Sequence, residues 1–249
     1  MPLFLITNDD GIRSPGLEAL VQRLRIQAEC VVIAPDRDNS AVSHSLTMNR
    51  PLRVTKVGEG FYTLDGTPTD CVAIGLNKII KRKPDLLISG INPGLNLGDD
   101  ISYSGTVSAA VEGTMYGVPS LAVSLAGEAP YDFRRAAEVA AKLATMILQQ
   151  GLPKDTLLNT NVPATASIKG MKVTRQGRRL WDNAIQETED PWGRRHYWIG
   201  GGTPSPDSGE DTDSYAVSNG YISVTPIHLD LTNHQGIEYL KKDWKLEQD

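Results

Sequence analysis

Short apolar runs without a polar side alternate with amphipathic stretches along most of this chain, and that alternation leaves few folds open. LFLIT (3–7) is strand-length and apolar throughout, as a strand buried on both faces requires. Ser14-Pro15 then starts a helix, with Ser as N-cap and Pro at the first helical position. In PGLEALVQRLRI, Leu17, Leu20, Val21 and Leu24 recur at i, i+3, i+4, i+7, one helical face. CVVIAPD (30–36) is a second β-branched run ending in a polar loop. Strand, helix, strand predicts a parallel pair with a right-handed crossover.

The pattern repeats downstream. LRVTKV (52–57) and GFYTLDG (60–66) read as strands outside that first unit, a hairpin closed at Gly58-Glu59-Gly60. A helix is predicted over 69–80, a buried strand over 84–92, a helix over 106–116 and a strand over 118–125. A long Ala- and Leu-rich helix over 131–150 and a strand over 155–163 complete the series. The expected class is α/β, a doubly wound, mostly parallel sheet covered on both faces.

Beyond about Pro163 the character changes. MKVTRQGRRLWDN and RRHYWIGG read as extended arms, and GGTPSPDSGEDTDSYA as a polar loop. YISVTPIHLDLT (221–232) returns as a strand with a loop, followed by a short charged terminal helix. Three of the four Trp (Trp181, Trp192, Trp198) fall between 181 and 198, and exposed aromatic arms are usually covered by a partner. The expectation is a core over 1–165 and a smaller part over 166–249, of β-arms and a terminal helix, that builds subunit contacts.

Composition excludes several classes. A net charge of −5, with Lys81-Arg82-Lys83 as the longest basic run, argues against polymeric nucleic acid as the main partner. No apolar run approaches the roughly 20 residues that span a bilayer. Cys30 and Cys71, with no CxxC, read as buried free thiols rather than a disulfide framework. A cytoplasmic, soluble protein without a membrane partner is expected.

Ligands of an open parallel sheet bind outside the carboxyl ends of its strands. The first strand exits into Asn8-Asp9-Asp10-Gly11, the second into PDRDNSAVSHS (35–45), and the 84–92 strand into SGINPGLNLGDD. Adjacent carboxylates repel unless something positive or strongly hydrogen-bonding holds them, so a turn alone does not explain Asp9 and Asp10. Ser104-Gly105-Thr106 precedes a helix, where unpaired N–H groups and the helix dipole favour an anion; an N-cap is the plainer reading. Asn92 and Asn96 lie in the long loop between. Together these describe an oxygen-rich site for a hard divalent cation such as Mg²⁺ or Mn²⁺, beside a phosphate. His44, His196, His228 and His234 are too dispersed for a zinc site, Asp85 reads as a turn residue, and Asp99-Asp100 as a solvated loop pair or as acids that support the site's ligands from behind.

With these segments assembled, the sequence resembles the SurE family of stationary-phase survival nucleotidases. The blocks that carry the resemblance are TNDDGIRSPG, VVIAPDRDNSAVSHSLT, GTPTDCV, PDLLISGINPGLNLGDDISYSGTVSAAVEG and GYISVTPIHLDLT. The resemblance implies a Rossmann-like core and a divalent-metal-dependent 5′-nucleotidase acting on nucleoside 5′- and 3′-monophosphates, with short polyphosphate a further candidate substrate. It places one metal ion on Asp9, Asp10, Ser40 and Asn92, and phosphate contacts on Asn96, Ser104, Gly105 and Thr106. Ser40 comes from the resemblance alone. A homodimer or homotetramer exchanging C-terminal elements is also implied. Metal-assisted hydrolysis fits both readings, with Asp9 or Asp10 taking the proton of the attacking water.

Two rivals separate on the residues. A haloacid-dehalogenase-like phosphatase needs an acid/base Asp two positions after its nucleophilic Asp, where this chain has Gly11 or Ile12. A dinucleotide-binding enzyme needs GxGxxG after the first strand, which is absent. A non-catalytic nucleotide or phosphate sensor would use the same anion site, and turnover distinguishes it.

Overall fold

The computed structural model describes residues 1–182, 185–200, 203–207 and 209–244, with the backbone alone at 179–182 and 203–206. Its centre is β1 (Leu3–Thr7), paired in parallel with β2 (Glu29–Pro35) on one side. Following the chain, β3 (Val54–Gly58) and β4 (Phe61–Leu64) form an antiparallel hairpin, and β4 lies parallel to β2. On the other side of β1 stand β5 (Leu86–Pro93), β6 (Ser120–Leu125) and β7 (Thr156–Val162), all parallel. The predicted hairpin is therefore an edge of the main sheet.

Continuous apolar strands make sense because the sheet has two cores. The alternation of side chains sends Phe4, Ile6, Val32, Ala34, Leu86 and Ile88 to one face and Leu5, Ile33 and Leu87 to the other. The first face is covered by α1 (Pro15–Leu24) and α4 (Arg134–Gln150), the second by α2 (Pro68–Ile74) and α3 (Gly105–Met115). Ser14 caps α1 through the Leu17 N–H with Pro15 behind it, and Leu17, Leu20, Val21 and Leu24 are buried, as their spacing predicts. The helix predicted over 69–80 keeps α geometry only to Ile74; Gly75–Ile79 form a wider π turn. Gly75 lies against Ile33, where a Cβ would stand 2.5 Å from the Ile33 Cδ1, so any side chain there would have to push Ile33 aside.

The C-terminal residues both complete this sheet and leave it. β8 (Met171–Val173) is parallel to β13 (Ile222–His228), which runs antiparallel beside β7. The sheet thus has the order β3-β4-β2-β1-β5-β6-β7-β13-β8, and it does not break near residue 165. Away from it, β9 (Arg179–Asp182) pairs with β12 (Thr203–Pro206), and β10 (Ile185–Glu189) with β11 (Arg195–Ile199). Trp192 and Trp198 on the second hairpin are 78% and 68% exposed. The stretch read as a polar loop contains β12 and the short helix α5 (Asp213–Ser218). Buried Asp213 organises it by accepting N–H groups from Gly98, Gly177 and Ser214, a role invisible in an acidic composition. A terminal helix, α6 (His234–Asp243), buries no residue. Cys30 and Cys71 are free and buried, and no described helix is long and apolar enough to cross a membrane.

Candidate active site

The β1 exit is a tightly bonded turn. Asn8 donates through its Nδ2 to the Gly11 carbonyl (3.0 Å) and to Ser14 Oγ (2.7 Å), tying the loop to the start of α1. Gly11 takes φ +94°, and the Ile12 N–H bonds to the Pro35 carbonyl at 2.9 Å, joining the exits of β1 and β2. This holds Asp9 and Asp10 at the carboxyl edge of the central strand, where the topology places ligands.

Asp9 is buried and points at α3. Its Oδ2 accepts the Thr106 backbone N–H at 3.1 Å, and its Oδ1 accepts the Thr106 hydroxyl. Gly105 leaves room for this approach, since a Cβ there would lie 2.8 Å from the Asp9 Cβ. Burial raises the Asp9 carboxyl above its ordinary range, against the lowering effect of the Thr106 bonds. Asp10 is raised to about 7, first by desolvation and then by the negative charges of Asp9 and Asp38. Its Oδ2 is buried without a hydrogen-bond partner among the described residues, as is Asn8 Oδ1.

The structure distributes the remaining sequence-identified residues around this pair. The Asn39 N–H donates to the Asp9 carbonyl at 2.8 Å, which brings the 36–45 loop and Ser40 to the β1 exit. Ser40 is exposed, and its N–H and hydroxyl both donate to Asp38 Oδ1, at 2.8 and 2.6 Å. Asn92 stands near the end of β5, beyond a register irregularity between Gly90 and Asn92, and its Nδ2 donates to the Gly94 carbonyl. Ser104 is the N-cap of α3, its Oγ accepting the Val107 N–H, so the plainer reading of this serine holds geometrically. Asn96 lies farther along the strand ends. Its N–H bonds to Asn161 Oδ1 (2.8 Å), its Nδ2 to Ser124 Oγ (2.7 Å), and its carbonyl accepts from Asn159 and Asn161.

Sequence reasoning passed over the residues that hold the Ser40 loop. Asp70 accepts the Thr47 N–H, the Thr47 hydroxyl and the Thr67 N–H, while Thr67 Oγ1 donates to the Ser45 carbonyl. His44 Nε2 meets buried Glu112 Oε2 at 2.8 Å. The only sequence signal for the Asp70 network was the Thr-x-x-Asp spacing of a capping box at Thr67 and Asp70. Asp85, by contrast, is the structural residue it was read to be: its Oδ2 accepts the Leu3 N–H at the foot of the sheet.

No group of three His, Cys, Asp or Glu suited to a metal occurs among the described residues. Two carboxylates with an orphaned buried oxygen, an amide and a hydroxyl instead make an all-oxygen donor set, which fits a hard divalent cation and not zinc. Such a charge would stabilise Asp9 and Asp10 as anions, which burial and mutual repulsion alone disfavour.

A Rossmann-like α/β sheet with a carboxylate pair at its central exit and a helix start facing it defines the class. The family model described as Survival protein SurE matches residues 4–183, and the chain belongs to the SurE family. It is 50% identical over 246 residues to a protein of Syntrophotalea carbinolica named 5′-nucleotidase SurE, covering 98% of each chain. A protein of the same name from Geobacter sulfurreducens is 49% identical, over 97% of this chain and 93% of its own. The crystal structure of the SurE protein from Aquifex aeolicus superposes with a TM-score of 0.85 at 46% identity, covering 96% of this chain and all of that one.

Proposed function

We propose that this chain is a phosphoric monoester hydrolase, a 5′-nucleotidase, that releases phosphate from nucleoside 5′-monophosphates and depends on one divalent metal ion. Nucleoside 3′-monophosphates and short polyphosphate are further substrates on this reading. Family membership and the names of its relatives support the nucleotidase class. The observation that carries the metal dependence is buried Asp9, against the start of α3, beside half-buried Asp10, whose buried Oδ2 has no partner among the described residues, at the mouth of a parallel sheet.

Asp9, Asp10, Ser40 and Asn92 would hold the cation, Mg²⁺ or Mn²⁺. When bound, it supplies positive charge for a phosphoryl oxygen and acidifies a bound water. The chain's own residues do the rest. Ser104 and Gly105 present the helix start to the non-bridging oxygens, and Asn96 extends the same polar edge. Thr106 belongs to this constellation through Asp9, to which it gives both of its donors. Asp9 or Asp10, held as a carboxylate by the cation, would accept the proton of the attacking water.

The exposed aromatic hairpin of β10 and β11 supports a homodimer or homotetramer in which this arm is covered. Two unpaired buried thiols accord with a reducing compartment, the cytoplasm. Phosphate release from 5′- and 3′-monophosphates and polyphosphate, with Mg²⁺ or Mn²⁺ and then with EDTA, tests the reading. A metal-independent rate, or binding without turnover as in a sensor, overturns it.

A further inference from the structure

A cleft of about 330 Å³ opens beside Asp10, on the side of the sheet covered by α1 and α4, away from α3. That is the lower end of the size range of small-molecule sites, roughly 300–1,000 Å³. Its walls differ in chemistry. Pro93 and Phe133 supply apolar lining, and Tyr131 stacks on the Phe133 ring with centroids 5.6 Å apart, which stiffens it. Gly16 also lines it, with no room for a Cβ against the Ile91 carbonyl.

The lining also holds two arginines with different fates. Arg37 is engaged by Asp36 at 2.8 Å. Arg13 is exposed, and its side chain makes no hydrogen bond or ion pair with another described residue. An unpaired guanidinium lining the same cleft as a proline and a stacked aromatic ring, beside the Asp10 carboxylate, is a site for a planar, acceptor-bearing ring.

We propose that this cleft is the nucleoside subsite: the base lies against Pro93 and Phe133, and Arg13 donates to its acceptor edge. The inference rests on the phosphatase reading and adds to it the group that recognises the base. Guanine, with O6 and N7 adjacent, offers the best match to the guanidinium fork.

The test compares kcat/KM for guanosine 5′-monophosphate with kcat/KM for ribose 5-phosphate, which keeps the ester and lacks the base. Arg13→Ala alters an exposed side chain without described partners, so the variant folds. The ratio is expected to fall about tenfold, chiefly through KM for the nucleotide. A ratio that stays within threefold of the parent overturns the subsite, and equal losses on both esters count as the same result. If the parent releases no phosphate from either ester in Mg²⁺ or Mn²⁺, the phosphatase reading itself has failed, which the parent assay alone reveals.

Discussion

Thr106 gives both its backbone N–H and its hydroxyl to the two oxygens of Asp9, across 97 residues of chain, and both side chains are buried. The first turn of α3 therefore fixes the orientation of one carboxylate before any ligand arrives. Asp10, its neighbour, has no such partner for its Oδ2 among the described residues. One carboxylate is oriented by protein and the other is left for whatever binds.

Replacing Thr106 with Val keeps the N–H and volume but deletes the hydroxyl. Groups that orient a metal-binding carboxylate typically carry about 10–100-fold in metal affinity or activity. Thr106→Val should lower metal-dependent turnover by that order, and Thr106→Ser should restore most of it. Full activity in the Val variant would falsify this positioning role.

Asp10→Asn removes a charge that is costly in the metal-free protein. Phosphate release is expected to fall by at least about 100-fold, the low end of a lost general base. The metal-free variant should nonetheless melt no lower than the parent at pH 8. Loss of folding stability together with activity would mean that Asp10 is structural.

The pH dependence follows from the same group. Asp10 has a folded pKa of about 7 against an ordinary 3.8, so its proton favours the folded state. That contribution is complete below pH 4 and disappears as the pH rises through about 7. Metal-free protein should therefore lose stability across this window from this residue, and Mg²⁺ or Mn²⁺ should restore more at pH 8 than at pH 6. Melting curves at both pH values, with and without metal, read the difference directly; an increment independent of pH contradicts it.

Asp70 anchors the loop that carries Ser40. Asp70→Ala removes three accepted hydrogen bonds, one of them the Asp70 half of a capping box, a loss of about 2–4 kcal/mol. Chemical denaturation should show that loss, and the metal concentration for half-maximal activity should rise. An unchanged metal requirement would separate this loop from the cation site.

Gly16→Ala sets local preference against tertiary packing. Inside a helix, Ala is ordinarily better than Gly by roughly 0.5–1 kcal/mol. Here the new Cβ would stand 2.1 Å from the Ile91 carbonyl oxygen, which is main chain and cannot step aside cheaply. The variant should be less stable by about 1–3 kcal/mol, the range of overpacked sites. A stabilised variant would show that α1 can move off β5.

Elements whose sequence carries a strong period were legible. Leu17, Leu20, Val21 and Leu24 announce α1, and the uninterrupted apolar runs announce strands with a core on each side. The paired carboxylates at the β1 exit were legible for the same reason, because strand position follows from pattern and ligand position follows from strand direction. Less was readable after residue 165. Asp213 looked like one acid in a polar tract, yet it is fully buried as the acceptor of three backbone N–H groups.

By itself the sequence determined the α/β alternation, the exposed aromatic arm and the list of polar residues at strand ends, since each is a property of neighbours along the chain. Only the tertiary structure decided that Thr106 orients Asp9, that Asp70 and Glu112 hold the Ser40 loop, and that Arg13 and Phe133 line one cleft. Those contacts join residues tens of positions apart, and no local periodicity encodes them. Hydrogen bonds and burial between distant segments exist only once the sheet has brought its strand ends to one edge.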